Sequence, residues 1–331
     1  MTIERRRSGP AEAWPPLPLE PWEDTCNTLQ LWTQIVGKTR LALAPMQNHW
    51  WQVPLYVTAR GLGTSPIPHG ERTFEVDFDF VDHRLLVRTS DGQAGSLPLA
   101  PRTVAAFYGR YLEVLRSLGI EVQIRLLPNE VSNPRPFDQD DVHGSYDPDA
   151  ARRFWRILVQ ADRVLKEFRG RFLGKCSPVH FWWGSFDLSC TRFSGRRAPP
   201  HPGGVPNLPD WVTREAYSHE CISAGWWPGN GGGAVREPAF YAYSYPEPPG
   251  CPQASIRPAE ASYHAVMHEW ILPYAAVLRA PSPDALVLDF LSSTYQAAAR
   301  LGGWDQAGLE RKTPPGAAPG HSGPSRTGRI D

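Results

Sequence analysis

Leu31, Trp32, Ile35, Val36, Arg40 and Leu41 return at the same spacing as Phe154, Trp155, Leu158, Val159, Arg163 and Val164. Further along, His49-Trp50-Trp51 is answered by His180-Phe181-Trp182-Trp183. Thr58-Ala59-Arg60-Gly61, ahead of Pro66-Ile67-Pro68-His69-Gly70, is answered by Thr191-Arg192, ahead of Pro199-Pro200-His201-Pro202-Gly203. Self-similarity constrains architecture before any local signal does. Matches that keep one order imply two related halves packed about a pseudo-twofold axis, with a cleft at or near their seam. The halves are assigned to residues 13–130 and 148–312, joined by a polar linker over 131–147. Residues 1–12 and the Pro/Gly/Ser-rich tail 313–331 hold too little apolar surface to offset ordering entropy, and disorder is expected there.

The pattern of elements predicts an α+β fold, each half a helix, three antiparallel strands and a helix. Leu29, Trp32, Val36 and Leu43 recur at helical spacing over 25–44. Trp51–Thr58 reads as a strand, and Thr73–Phe80 alternates strictly as a half-buried one. Leu85–Thr89 follows, then a helix opened by Pro101, then a strand over Ile120–Leu126. In the second half Phe154, Leu158, Ala161, Leu165 and Phe168 define a helix. Val179–Phe193 reads as one long strand bent at Gly184, followed by strands at Tyr217–Gly225 and Ala239–Tyr245. Helices are expected from Pro258 and over Asp284–Arg300. Strands joined by short turns favour antiparallel pairing over a doubly wound parallel sheet.

Composition then narrows function. Of 331 residues, 41% are hydrophobic and 21% charged, the balance of a globular protein. Thirty-four basic residues cancel thirty-four acidic ones, so no net field recruits nucleic acid or an anionic membrane. No apolar run approaches the roughly 20 residues that span a bilayer. The basic start, Glu4-Arg5-Arg6-Arg7, has no apolar stretch after it and is not a signal peptide. Five scattered cysteines without a C-x-x-C pair imply reduced thiols in a cytoplasmic protein. The expected partner is a small molecule; no cofactor and no oligomeric state follow from the sequence.

The candidate chemistry lies on the strands. Glu75, Asp77 and Asp79 share one face of their strand, because side chains alternate with a period of two. Such a row is either a solvated sheet face or the acidic wall of a cleft. The repeat aligns Glu220 with Glu75, and His219 stands beside it facing the opposite way. Asp77, Asp79, Glu220, His219 and His180 are therefore the candidate acid–base groups. Arg60 and Arg192 are candidate anion clamps or salt-bridge partners of Asp77, Asp79 or Asp187. Trp51, Trp183 and His49 complete the candidate binding surface, their rings serving either core packing or a flat ligand. No metal site is assigned: H-E-x-x-H is absent, since Ser223 stands where the second His would be. The loop Asn129–Asp147 is acidic but lacks EF-hand spacing. Gly229–Gly233 lacks the Lys-Ser/Thr of a phosphate loop, and Gly184-Ser185-Phe186-Asp187 completes no nucleophile elbow.

The strings NHWWQVPLYVTARGLGTSPIP, FEVDFDFVDH, RFWRILVQADRVLKEFRGRF, GKCSPVHFWWGSFDL, TRFSGR and REAYSHECISAGWWPG resemble an uncharacterised bacterial family, a domain of unknown function, over residues 14–311. That resemblance implies a cytoplasmic bacterial protein with one family-wide architecture, and it carries no activity or site residues. Members often carry His at the position of Gln52, so no site here is built on a His at 52. The function expected is that of an enzyme acting on a small polar molecule in a carboxylate- and Trp-lined cleft. The alternative is a non-catalytic ligand-binding or interaction protein.

Overall fold

The computed structural model describes residues 13–230 and 234–312, so both ends expected to be disordered lie outside the described residues. Helices accompany two antiparallel sheets, as an α+β fold requires, but each sheet has six strands where three per half were expected. In the first half, helix α1 (Glu23–Leu43) precedes β1 (Tyr56–Val57), β2 (Gly61–Gly63), β3 (Ile67–His69), β4 (Arg72–Asp79), β5 (Arg84–Thr89) and β6 (Ala94–Pro98). Helix α2 (Val104–Ser117) closes it. The strands lie in the order β1-β2-β4-β5-β6, with β3 sharing an edge of β4 with β2.

The second half opens with α3 (Pro148–Gly170) and continues through β7 (His180–Trp182), β8 (Asp187–Arg197), α4 (Asp210–Ala216), β9 (His219–Trp227) and β10 (Ala239–Tyr245). A hairpin of β11 (Ser262–His264) and β12 (Glu269–Pro273) leads into α5 (Tyr274–Arg279), α6 (Pro283–Leu301) and α7 (Gln306–Leu309). Its sheet runs β7-β8-β9-β10-β12-β11. Leu55 and Phe181 exchange both backbone hydrogen bonds at 2.9 Å, so the sheets meet edge to edge, β1 beside β7. Among the described residues no helix is long and apolar enough to cross a membrane.

The elements follow from local chemistry. On β4, Phe74, Val76 and Phe78 are buried while Glu75 and Asp77 face outward. On α3, Asp147 caps the first turn by accepting from the N–H groups of Asp149 and Ala150, and Pro148 sits where its missing N–H costs nothing. In the second sheet, alternation sorts side chains by polarity. Leu188 and Cys190 of β8, Ile222, Ala224 and Trp226 of β9, Phe240 and Ala242 of β10, and Trp270 and Leu272 of β12 are all buried. Helices α3 and α6 pack on β8, β9 and β10. The opposite face carries Asp187, Ser189, Thr191, Ser223, Gly225, Tyr241, Tyr243 and Glu269.

Helix α1 joins the halves. Trp32 stacks on Phe107 of α2 with ring centroids 4.5 Å apart. On another side, the Trp183 ring lies directly on the backbone of Gly37, where an added Cβ would stand 2.2 Å from the indole. The same indole donates its N–H to the Val53 carbonyl at 2.9 Å, tying the turn after β7 to the chain leading into β1.

Several expected elements are corrected. Of the 51–58 strand only Leu55, Tyr56 and Val57 are paired, because His49 and Trp50 adopt φ of 56° and 62° and coil the chain into a 3₁₀ turn. Ile120–Leu126 is extended but unpaired; its alternation buries Ile120 and half-buries Val122 and Ile124 against the core without a strand edge beside it. The long strand over 179–193 is a hairpin, broken at 183–186 where Phe186 has φ 64°. Residues after Pro258 form the β11–β12 hairpin, since Trp270 and Leu272 bury at a spacing of two. Helix α2 starts at Val104, capped by Thr103 rather than opened by Pro101.

Gly37 yields a sign test. In an exposed helix interior Gly→Ala stabilises by about 1 kcal/mol. Here the methyl overlaps a fixed ring, so Gly37→Ala is expected to destabilise by about 1–3 kcal/mol. A lower urea midpoint for the variant would bear this out, and a raised midpoint would contradict it.

Candidate functional site

The polar face of the second sheet is the floor of a cavity of about 760 Å³. Its roof is built from residues 123–130, the segment 205–217 that includes α4, the 3₁₀ turn at His49, and the flank of α1. The roof segments are stitched by amides. Gln34 of α1 donates to the Asn129 carbonyl and accepts from the Asn129 N–H, both at 2.9 Å. Asn129 donates to Asn207 O, Asn207 to Val131 O, and the Glu130 N–H to Pro206 O.

On the floor, Asp187 is 6% exposed and accepts hydrogen bonds from Ser185 Oγ and Tyr241 Oη. The tyrosine reaches it by crossing β9 at Gly225, where a Cβ would stand 2.7 Å from the Tyr241 hydroxyl and 2.3 Å from the Leu188 carbonyl. A side chain at 225 would separate the two. Burial pushes Asp187 up to about 6, against the lowering pull of those hydrogen bonds. Glu269 on β12 and Glu130 in the roof face the same space, and both are pushed up to about 7, first by loss of water and then by the Asp187 charge. Glu130 keeps considerable free surface, but that surface lines the cavity and protein encloses it, so desolvation governs its titration. Neither glutamate has an ion-pair or hydrogen-bond partner for its carboxyl among the described residues. The Thr191 and Ser223 hydroxyls pair on the floor at 3.0 Å, and Tyr217 of the roof segment meets Tyr243 of the floor at 2.8 Å. Trp182 donates to Ser189 Oγ and Trp227 to the Ser185 carbonyl, which leaves their rings as walls.

At the other end of the cavity His49 is locked in one tautomer. Its Nδ1 meets the Ala216 carbonyl at 3.0 Å and must donate, so Nε2 accepts from Lys175 Nζ at 2.7 Å. Burial holds His49 below its ordinary range, in keeping with a neutral ring. The Lys175 ammonium sits 5.4 Å from the Trp51 ring centroid and 5.1 Å from that of Phe193. Lys38, pushed down to about 7 by burial and then by Arg125, donates to the Leu127 carbonyl at 2.6 Å.

Of the residues singled out from sequence, Trp51, Trp183 and His49 line this cavity. The others lie elsewhere. Glu75 and Asp77 pair with Arg88 on the first sheet. Asp79 is buried; burial raises its carboxyl, but Arg60 at 2.6 Å and the N–H groups of Asp82 and Val81 hold it below the ordinary range. Arg60 also meets Asp82 at 2.7 Å. Glu220 lies in the second sheet rather than beside Glu75, accepting from Ser194 and Arg196. His219 stands edge-on to His49, and its Nδ1 meets Ser218 Oγ at 3.1 Å. His180 is fully buried between Trp51, Tyr56 and Trp182 with neither ring nitrogen bonded, and burial followed by Arg40 pushes it down to about 3. Arg192, next to cavity-facing Thr191 and so pointing the other way, lies over the Phe168, Phe172 and Tyr295 rings and donates to the Phe168 carbonyl.

Glu269 and Tyr241 escaped the sequence reading, and Asp187 entered it only as a partner for arginine. The available signal was the alternation Ala239-x-Tyr241-x-Tyr243 beside the small residues Ser223 and Gly225. Among the described residues no three His, Cys, Asp or Glu side chains are grouped so as to hold a metal ion. Fold and site together define an α+β protein with a carboxylate-floored cavity on the open face of an antiparallel sheet. Residues 14–311 match the model of a family of unknown function (DUF5996), and the chain belongs to that family. No curated protein and no solved structure matches it.

The raised carboxyls carry a stability sign. A group whose folded pKa lies above its unfolded value stabilises fully below the unfolded pKa and loses that contribution as pH rises through the folded one. For Asp187, moved from 3.8 to about 6, the loss falls between about pH 4 and 7. The roughly two-unit shift corresponds to about 3 kcal/mol. Asp187→Asn is therefore expected to raise the denaturation midpoint at pH 8 and leave it nearly unchanged at pH 4. A midpoint that falls at pH 8 would show that the ionised carboxyl stabilises the fold.

Proposed function

We propose that this cavity is the working site of the protein and that the protein is an enzyme acting on a small polar molecule by proton transfer. The observation that carries the reading is Asp187, desolvated on the cavity floor and oriented by Ser185 and Tyr241, with the unpaired carboxyls of Glu130 and Glu269 facing the same space. Groups that titrate near neutrality both accept and release protons at working pH. Asp187 is the base, because the Ser185 and Tyr241 hydroxyls donate to its carboxyl and favour the ionised form. Glu130 or Glu269, raised by burial and with no donor to its carboxyl among the described residues, is the acid. Trp51, Trp183 and His49 belong to the binding surface in this reading.

A pseudo-twofold axis through the Leu55–Phe181 junction belongs to the same proposal. Its support is the order of elements: each half enters by a long helix, lays antiparallel strands outward from the junction, and ends in a helix.

Incubating the purified protein with a metabolite extract, followed by mass spectrometry, tests the enzyme reading. A metabolite consumed by the wild type and spared by Asp187→Asn, with turnover down at least about a hundredfold, is the expected result. A metabolite retained by the protein but chemically unchanged would instead make it a binding protein.

A further inference from the structure

We infer that the ligand of this cavity is an organic cation carrying at least one protonated amine, held by the carboxyls of Asp187, Glu130 and Glu269 between the rings of Trp182, Trp227 and Tyr241. The inference rests on the cavity being the functional site and adds the chemical class of what enters it.

The argument begins with charge balance. Elsewhere in the protein the partly or fully buried strand and helix carboxyls meet cations: Asp77 meets Arg88, Asp79 meets Arg60, Asp162 meets Lys166, and Glu220 meets Arg196. In the cavity no carboxyl has such a partner among the described residues. Burying a charge without a counter-charge costs more than burying a neutral group, and the cost disappears when a cation arrives with the ligand. The nearby basic groups do not supply it. Lys38 is engaged by the Leu127 carbonyl and the Phe137 ring, Lys175 by His49 and two rings, and Arg125 stands exposed at the rim.

Hydrogen-bond capacity points the same way. Asp187 is already served by two hydroxyl donors, whereas the oxygens of Glu130 and Glu269 accept nothing. A ligand rich in N–H donors fits; an ammonium offers three and accepts none. A single metal ion does not fit, because no three ligating side chains are grouped for one among the described residues. A volume of about 760 Å³ is also far larger than a bare ion needs. Aromatic faces attract an organic ammonium in addition to the carboxylates. An anionic ligand would face three carboxyls.

Calorimetric titration at pH 8 in phosphate buffer, which itself holds no amine, tests this. The cationic probes are spermidine, 1,5-diaminopentane and ethanolamine, all protonated amines at this pH; glucose is the neutral probe and citrate the anionic one. At least one cationic probe is expected to bind, at least about tenfold more weakly to Glu130→Gln and Glu269→Gln. Glu220→Gln, outside the cavity, is expected to bind like the wild type. The unliganded denaturation midpoint of each variant checks that it is folded. Absence of heat from all three cationic probes overturns the inference, as does cationic binding undiminished in both cavity variants. Glucose or citrate binding alone overturns the amine while leaving the cavity as the site. If metabolites are neither retained nor converted, the proposed function fails as well.

Discussion

The rest of the architecture hangs on an indole laid flat against a helix backbone. Gly37 lets Trp183 reach α1, and the indole N–H then fastens the Val53 carbonyl. Three separate stretches of chain are thereby fixed: the helix, the approach to β1 and the turn after β7. From that fixed point the Leu55–Phe181 bridge can form, and Gln30 can reach the Gly184 carbonyl at 2.7 Å. A core contact of this kind tolerates little change in volume, since interiors are packed as densely as organic crystals. The cavity is one result of it, because α1 supplies both the flank of the cavity and the anchor of its roof.

The second sheet divides two tasks by parity. Residues of one parity hold the helices and supply apolar burial; those of the other hold hydroxyls, tyrosines and carboxyls. The second set costs stability at neutral pH, because carboxyls leave water without gaining cations. Proteins keep such arrangements where activity requires them. The first sheet is different. Its acidic row on β4 is matched by arginines: Glu75 and Asp77 share the exposed Arg88, a pairing of the kind that contributes little energy, while buried Asp79 is held by Arg60 and backbone N–H groups.

Much of this was legible in the chain. Phe74, Val76 and Phe78 gave β4 through their alternation, and Phe154 to Phe168 gave α3 through theirs, because a solvated face and a buried face leave opposite marks on a pattern. The left-handed residues His49 and Trp50 left no such mark, and a strand was expected where the chain coils. Glu269 was hidden because Pro258 resembles a helix start, while the burial of Trp270 and Leu272 on a hairpin depends on distant partners. The first-sheet carboxylates drew attention because their neighbours in sequence made the pattern clear. Asp187, Glu130 and Glu269 come from three separate segments, and only the folded chain brings them to one space.

Gln34 has a role beyond packing. A single amide head satisfies both the N–H and the carbonyl of Asn129, the peptide next to Glu130. A carboxylate could accept but not donate, a lysine donate but not accept, and an asparagine would fall one methylene short. The reach of that one side chain fixes how far the Asn129–Glu130 segment stands from α1, and so where the Glu130 carboxyl enters the cavity.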